Sequence, residues 1–183
     1  MLAMRRGKIL MLGGASGVGK TTVCHRAAML ARERGRHVAG LLMPARTRNG
    51  VRCGQDVEDL STGERRHVAE KATATGPACL DRWHFDEVAL AWGRDVLRRA
   101  TPCDLLIIDE VGPLELQAGR GWTNAVEILR AARFDRALVV VRDSLASAFR
   151  ERMGRDDLSS ITVTPANRDS LPALLLAASD DLR

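Results

Sequence analysis

Residues 8–22, KILMLGGASGVGKTT, place an apolar run directly before closely spaced glycines, a lysine and two threonines. Gly14 and Gly19, followed by Lys20 and Thr21, complete the spacing G-x-x-x-x-G-K-[ST]. Glycine leaves backbone N–H groups bare, so phosphate oxygens can approach them closely. Lys20 can reach the β- and γ-phosphates of a nucleotide, and the Thr21 hydroxyl can bind Mg²⁺. The predicted phosphate-binding residues are Gly14, Ala15, Ser16, Gly17, Val18, Gly19, Lys20, Thr21 and Thr22.

A glycine-rich turn between a strand and a helix can also lack a ligand or bind a dinucleotide. The complete motif between a strand pattern and a helix pattern disfavours a turn without a ligand. The glycines run G-x-x-G-x-G from Gly14, whereas a dinucleotide site needs G-x-G-x-x-G. Residues 41–44 at the end of the next strand also lack the acid that would hold a ribose hydroxyl. The sequence therefore favours a phosphate-binding loop.

A second stretch, DLLIIDE at residues 104–110, consists of an apolar run followed by two acids. A buried parallel strand that ends at Asp109 would place this carboxylate at the carboxyl edge of the sheet, where it can hold Mg²⁺. Glu110 is then placed to polarise a water that attacks the γ-phosphate, whereas a kinase would use such a carboxylate to orient an acceptor hydroxyl. An acid after an apolar run is weak by itself, and its pairing with the phosphate loop makes the interpretation strong.

Three further polar residues are candidates at the same edge. Arg142 follows the apolar run at 137–141 and could offer a cation to the γ-phosphate, although an exposed arginine at a strand end explains it as well. Asn167 and Arg168 follow the last predicted strand and could flank the base, and helix capping is an equal alternative. Asp143 and Ser144 are predicted to cap the helix that runs through Met153.

A sheet must align the ends of these strands if the residues are to meet. Apolar runs predict strands at 9–12, 37–43, 83–85, 104–109, 137–141 and 161–164. Helical spacing predicts helices at 22–34, from the Asp86 cap to 99, at 122–133, up to 153 and at the end of the chain. This alternation predicts an α/β fold with a central, mostly parallel sheet flanked by helices. Residues 72–79 show no clear period and are predicted to form a loop near the nucleotide.

Residues 45–71 are predicted to form a small antiparallel β insertion. Asn49-Gly50 is a strong hairpin signal, and residues 61–64 give a second turn between short alternating runs. The arginines of the insertion could line an anion site or a nucleic-acid surface, and a solvated face of an edge hairpin is an equal alternative. These arginines are Arg46, Arg48, Arg52, Arg65 and Arg66.

The composition suits one compact domain spanning residues 1–183, because 45% of the residues are hydrophobic. The net charge of +5 favours polyanionic ligands and gives only weak support to nucleic-acid binding. No signal peptide is indicated, and no segment approaches the roughly 18 apolar residues that span a membrane. The cysteines and histidines show no metal-ligand or C-x-x-C spacing. A cytoplasmic location with reduced thiols is the expectation.

Four segments together resemble the Thep-type nucleoside-triphosphatase family. They are GASGVGKTT at 14–22, GLLMPARTRNGVRCGQDVEDLSTGERRHVA at 40–69, WHFDEVALAWG at 83–93 and DEVGPLEL at 109–116. The last, which fits D-E-[IV]-G-x-[LM]-E-L, is the most specific. The resemblance implies a RecA-like P-loop NTPase domain and Mg²⁺-dependent hydrolysis of ATP, GTP and other nucleoside triphosphates with loose base selectivity.

The resemblance also implies roles for individual residues. The glycines at 14, 17 and 19 with Lys20, Thr21 and Thr22 match the phosphate loop of the family. Asp109 and Glu110 match its metal-binding and water-activating acids, and Glu115 matches the further acid of the motif. The chain departs from the family at residues 44–48, PARTR, where members commonly carry T-x-E-x-R.

The sequence thus favours an enzyme that hydrolyses nucleoside triphosphates, with Lys20, Glu110 and Arg142 as catalytic candidates and with Thr21 and Asp109 as metal ligands. A small-molecule or nucleotide kinase with the same loop is the alternative among enzymes. A nucleotide-dependent switch or adaptor with slow turnover is the alternative outside catalysis.

Overall fold

The computed structural model describes residues 7–71, 83–131, 133–155 and 157–177. The predicted loop at 72–79 lies outside these residues. The strands are β1 (Lys8–Gly13), β2 (Val38–Leu42), β3 (Ala45–Arg48), β4 (Val51–Asp59), β5 (Arg65–Lys71), β6 (Trp83–Phe85), β7 (Cys103–Val111), β8 (Phe134–Val141) and β9 (Ser159–Thr162). The helices are α1 (Lys20–Glu33), α2 (Glu87–Arg99), α3 (Pro113–Leu116), α4 (Ala125–Ala131), α5 (Ala146–Met153) and α6 (Leu171–Ala177).

The strands form one sheet in the order β6-β5-β4-β2-β7-β8-β1-β9, with β3 paired to β4. The strands from β2 to β9 in this order run parallel to one another, so their carboxyl ends lie at one edge. Met11 of β1 lies opposite Val139 of β8, and Ile107 of β7 lies opposite Leu138. The prediction of an α/β fold with a central, mostly parallel sheet is confirmed.

The antiparallel insertion is confirmed and is larger than predicted, because β6 adds a strand beyond residue 71. Asn49 and Gly50 form the predicted tight turn, with φ of 52° and 76°. The insertion does not stand apart from the central sheet. β4 pairs antiparallel with β2, with Leu41 opposite Asp59, so the insertion extends the β2 edge of the sheet.

Helices cover both faces of the sheet. Successive residues of a buried strand point to opposite faces, so one strand contributes to the apolar cluster on each side. Leu105 and Ile107 pack in the cluster that contains the apolar residues of α1 and α6. Leu106 and Ile108 pack in the other cluster, with residues of α2, α4 and α5. The apolar run that predicted β7 therefore supplies both cores. Among the described residues, no helix is long and apolar enough to cross a membrane.

Two predicted helix starts have different outcomes: the cap at Asp86 is confirmed, and the start at residue 122 is wrong. The Asp86 side chain accepts hydrogen bonds from the backbone N–H groups of Val88 and Ala89, as its predicted capping role requires. The predicted helix at 122–133 is shorter, and α4 begins at Ala125. The Trp122 N–H binds the Glu115 carboxylate, and a Cβ added at Gly93 would lie 2.2 Å from the indole. These contacts hold Trp122 in the turn before α4.

Candidate active site

The phosphate loop connects β1 to α1, and three of its glycines adopt positive φ. Gly14, Gly17 and Gly19 have φ of 119°, 77° and 110°. A Cβ added at Gly14 would lie 2.5 Å from the carbonyl oxygen of Val163, which follows β9. Only glycine therefore fits at position 14, both in conformation and in space. Gly19 is the N-cap of α1, so the positive end of the helix dipole points into the loop.

The Lys20 side chain folds back over the loop. Its ammonium donates hydrogen bonds to the carbonyl oxygens of Gly14 at 2.6 Å and of Ala15 at 2.9 Å. Val18, by contrast, packs beside the core cluster of α1 and α6. Ala15 and Val18 thus shape the loop, and Lys20 places its charge at the cradle.

Asp109 is buried at the carboxyl end of β7, with 2% of its surface exposed. Its carboxylate accepts a hydrogen bond from the Met43 N–H at 2.9 Å and another from the Thr21 hydroxyl. Burial raises the pKa of Asp109 to about 6, and the charge of Glu110 adds to the rise, although both hydrogen bonds oppose it. The structure therefore brings together the two residues predicted to bind Mg²⁺, Thr21 and Asp109.

Glu110 has a backbone conformation that is rare for residues other than glycine, with φ of 84°. The β7–β8 register shifts between Ile108 and Val111, so Glu110 lies in a bulge, and the strand continues to Val111 past its predicted end. Such a conformation costs about 1–3 kcal/mol and is typical of functional sites. Glu110 accepts hydrogen bonds from Arg142 Nε at 2.9 Å and Nη2 at 2.6 Å, both at Oε1.

Asp143 bonds to the phosphate loop, and its predicted role as a helix cap is wrong. Its Oδ1 accepts a hydrogen bond from the Gly14 N–H at 2.9 Å. Asp143–Leu145 form a 3-10 turn before α5, and neither this turn nor α5 has a side-chain cap, so the predicted Ser144 cap is also wrong. The neighbouring position of β1 and β8 explains the contact, and a Cβ added at Gly13 would lie 2.3 Å from Asp143 Oδ1.

The residues predicted beside the base differ in placement. The side chain of Asn167 turns into its own loop, where Oδ1 accepts from the Thr164 N–H and Nδ2 donates to the Thr162 carbonyl. Both bonds hold the loop that precedes α6, and neither reaches the first turn of that helix. Arg168 lies against the phosphate loop, because a Cβ added at Gly19 would be 3.5 Å from its Cδ. Arg168 is therefore the better placed of the two to reach a bound nucleotide.

Glu115 braces the turn after β7. Its Oε2 accepts a hydrogen bond from the Gly112 N–H at 2.8 Å and its Oε1 accepts one from the Trp122 N–H at 3.0 Å. Burial raises the pKa of Glu115, and these hydrogen bonds oppose the rise. The Gly112–Glu115 bond is one half of a capping box, and glycine has no side chain to form the other half, so the usual capping signal is missing from the sequence.

Replacing Glu115 by Ala should destabilise the fold, because the buried N–H groups of Gly112 and Trp122 would lose their acceptor. Each unsatisfied buried donor costs about 1–3 kcal/mol, so we expect a loss of roughly 2–6 kcal/mol in the free energy of unfolding. Glu115→Gln keeps one acceptor oxygen and should lose less. Urea unfolding measures both, with Glu127→Ala as the exposed control. Equal stability of Glu115→Ala and wild type would contradict the bracing role.

A cleft of about 1030 Å³ joins the phosphate loop to the acids and to the insertion. Lys20, Thr21, Asp109, Glu110 and Arg142 all line it. Its far end is lined by Arg52, one of the insertion arginines predicted as candidates for an anion site, and by Gln55, Trp83 and Phe85, which were not predicted as site residues. The guanidinium of Arg52 lies 5.1 Å from the centre of the Trp83 ring.

The other insertion arginines have different surroundings. Arg65 pairs with Glu58 at 2.7 Å, and Arg66 pairs with Glu64 at 2.8 Å while lying over the Trp92 ring. Arg46 approaches Asp56 at 3.7 Å. Paired arginines on a sheet face favour the structural alternative at these positions. In the part of the chain that the structure describes, no group of three or more His, Cys, Asp and Glu residues could hold a metal ion.

The sheet order, the glycine loop at the end of β1 and the buried acid at the end of β7 define a P-loop α/β nucleotide-binding protein. A family model described as NTPase matches residues 9–176, and the chain belongs to this family of nucleoside-triphosphatases. The resemblance read from the sequence is thereby confirmed.

Individual relatives agree with the family. Nucleoside-triphosphatase THEP1 of Thermofilum pendens is 31% identical over 170 residues, which cover 92% of this chain and 93% of that protein. Nucleoside-triphosphatase THEP1 of Methanosarcina acetivorans is 32% identical over 167 residues, which cover 87% of this chain and 89% of that protein.

Two solved structures share the fold. The solution structure of a human cancer-related nucleoside triphosphatase has a TM-score of 0.73 at 24% identity, covering 97% of this chain and 100% of that chain. The crystal structure of THEP1 from Aquifex aeolicus has a TM-score of 0.69 at 19% identity, covering 94% of this chain and 99% of that chain. At these identities the likeness establishes the fold alone.

Proposed function

We propose that this nucleoside-triphosphatase hydrolyses ATP, GTP and other nucleoside triphosphates to the diphosphate and phosphate in a reaction that depends on Mg²⁺. The observation that carries the proposal is the convergence of Lys20, the Thr21–Asp109 pair and Glu110 on one cleft. A cation, two oxygen ligands for a metal ion and an acid that can orient a water are the groups that cleavage of a terminal phosphate requires.

The Thr21–Asp109 pair fits Mg²⁺. This ion takes oxygen ligands, usually one or two from the protein with substrate phosphates and waters completing the set. A hydroxyl beside a carboxylate provides two such ligands, and the buried Asp109 carboxylate would gain a compensating positive charge. When bound, the ion neutralises negative charge on the phosphates during transfer.

Each of the other residues at the site would have a separate role in the reaction. The N–H groups of the loop and the ammonium of Lys20 would hold the phosphates and stabilise the charge that develops on them. Glu110 would accept a hydrogen bond from the attacking water and orient it in line with the bond that breaks. Arg142 would offer a further cation to the γ-phosphate, and Arg168 would lie on the nucleoside side of the loop.

A small-molecule kinase is the second candidate function, because the far end of the cleft offers a surface for an acceptor molecule. Trp83 and Phe85 give this end an aromatic wall and Arg52 gives it a cation, which is a suitable surface for an acceptor molecule. A nucleotide-dependent switch would use the same loop with slow turnover. Nucleic-acid binding and a cytoplasmic location remain predictions.

Phosphate release from ATP, GTP, CTP and UTP, with Mg²⁺ and with excess EDTA, tests the proposal. We expect release from all four nucleotides with Mg²⁺ and loss of release with EDTA, because the phosphate charge would no longer be neutralised. Release that persists without divalent ions would refute the metal dependence. Transfer of labelled γ-phosphate to an added metabolite instead of water would establish the kinase.

A further inference from the structure

The Arg142–Glu110 ion pair joins two residues that hydrolysis would use separately. Two N–H groups of Arg142 donate to the same oxygen, Oε1 of Glu110, and both side chains line the cleft. An oxygen that accepts two bonds from a guanidinium has little capacity left for a hydrogen bond from water. While the pair persists, a water can bond only to the other carboxylate oxygen, Oε2, in the orientation that Arg142 imposes on Glu110.

The backbone of Arg142 is fixed, whereas its side chain is accessible. Val141 before it is buried at the end of β8, and the Leu145 N–H donates to the Arg142 carbonyl at 2.8 Å. Asp143 after it is tied to Gly14. The Arg142 side chain, by contrast, is 58% exposed. Arg142 can thus change its partner by side-chain rotation alone, with no shift of β8.

A terminal phosphate is a strong competitor for this guanidinium. It carries more charge and more acceptor oxygens than a carboxylate, and arginine binds phosphate through two parallel N–H bonds. Arg142 lines the same cleft as Lys20 and Thr21, and its neighbour Asp143 contacts Gly14 of the loop, so the Arg142 backbone lies close to the phosphate cradle. A nucleoside diphosphate lacks the third phosphate and offers no such competitor.

We propose that Arg142 is a gate that responds to the γ-phosphate. In a bound triphosphate the γ-phosphate draws the guanidinium away from Glu110, and the freed carboxylate then receives the attacking water. After hydrolysis and loss of phosphate the ion pair forms again. The inference rests on the proposed roles of the phosphate loop and Glu110, and adds a step that couples them.

The test compares the binding of ADP with that of the β,γ-imido analogue of ATP, each with Mg²⁺, by calorimetry. Arg142→Ala should weaken binding of the analogue about 10-fold or more, the value of a charge-assisted hydrogen bond, and leave ADP binding unchanged. Arg142→Lys should retain part of the preference for the triphosphate. Arg98→Ala, at an exposed ion pair on α2, is the control and should bind both ligands as wild type does.

Glu110→Gln gives the sharper prediction, since it removes the competing carboxylate. Binding of the analogue should tighten about twofold to fivefold, because an exposed ion pair no longer has to break. The tightening should vanish in the double variant with Arg142→Ala, and ADP binding should not change. If Arg142 had only a structural role, neither Arg142→Ala nor Glu110→Gln would change the affinity for the analogue relative to that for ADP.

Two outcomes would overturn the gate, namely an unchanged preference for the triphosphate in Arg142→Ala, or unchanged or weaker binding of the analogue by Glu110→Gln. Either result would leave the hydrolytic mechanism intact if Glu110→Gln still abolished turnover. Wild-type turnover in Glu110→Gln would instead refute the proposed mechanism itself. The failure of the gate and the failure of the mechanism are thus distinguishable.

Discussion

Replacing Glu110 by Gln should reduce turnover of nucleoside triphosphate by about 10²- to 10⁴-fold, the usual contribution of a positioned general base. The amide is nearly the same size as the carboxylate but cannot take a proton from water. The phosphate loop and the Thr21–Asp109 pair remain, so nucleotide binding should persist. A large loss of turnover with binding retained separates a catalytic role for Glu110 from a role in affinity.

Phosphate release under saturating nucleotide measures the turnover, and calorimetry with the imido analogue measures the binding. Glu127→Gln makes the same chemical change on the exposed face of α4 and should have wild-type turnover. Thermal unfolding should show that Glu110→Gln is folded. Full turnover in this variant, or loss of nucleotide binding, would contradict the role assigned to Glu110.

Four strands of the parallel sheet, β1, β2, β7 and β8, were predictable because each contains an apolar run, whereas β9 is SSIT and begins two residues before its predicted start. A strand covered on both faces has no polar alternation, and β2 and β7 show this pattern clearly. The attachment of the insertion was not predictable, because the hairpin signal at Asn49-Gly50 fixes only local pairing. The pairing of β4 with β2 depends on which edge of the central sheet is open, and that follows from the whole topology.

The candidate site was also predictable only in part, namely where a local sequence pattern determines the structure. The motif spacing predicted the loop, and the apolar run predicted the position of Asp109. Adjacent residues in a regular strand point to opposite faces, so Asp109 and Glu110 would be separated without the bulge. Both line the cleft because of the unusual backbone of Glu110. No signal in the strand itself indicates this bulge.

Asp143 is the clearest case of information that local sequence lacks. An aspartate directly before a helix pattern is typical of a cap, and this led to the wrong prediction. The contact it makes instead is with Gly14, 129 residues away in sequence. It depends on β8 lying beside β1, which a capping rule does not consider. Position 13, where a side chain would strike this carboxylate, is therefore constrained by residue 143.

Replacing Lys20 by Met should abolish most of the hydrolysis while preserving the length of the side chain. Loss of charge-assisted bonds to the phosphates should weaken triphosphate binding about 10- to 100-fold. Loss of a cation at the developing charge should lower turnover about 10²- to 10³-fold further. The two effects multiply in kcat/KM, so this variant should show the largest decrease in that ratio.

Lys20 also holds the loop through the carbonyls of Gly14 and Ala15, so a loosened loop must be separated from a lost phosphate contact. Lys20→Arg restores the charge and can still donate to these carbonyls, but its planar fork cannot replace a compact ammonium. It should therefore recover stability more fully than turnover. Lys8→Met, at an exposed position of β1, should match wild type in both. If Lys20→Met were to retain wild-type kcat/KM, the role of Lys20 in holding the phosphates would be refuted, because methionine supplies neither the charge nor the donors.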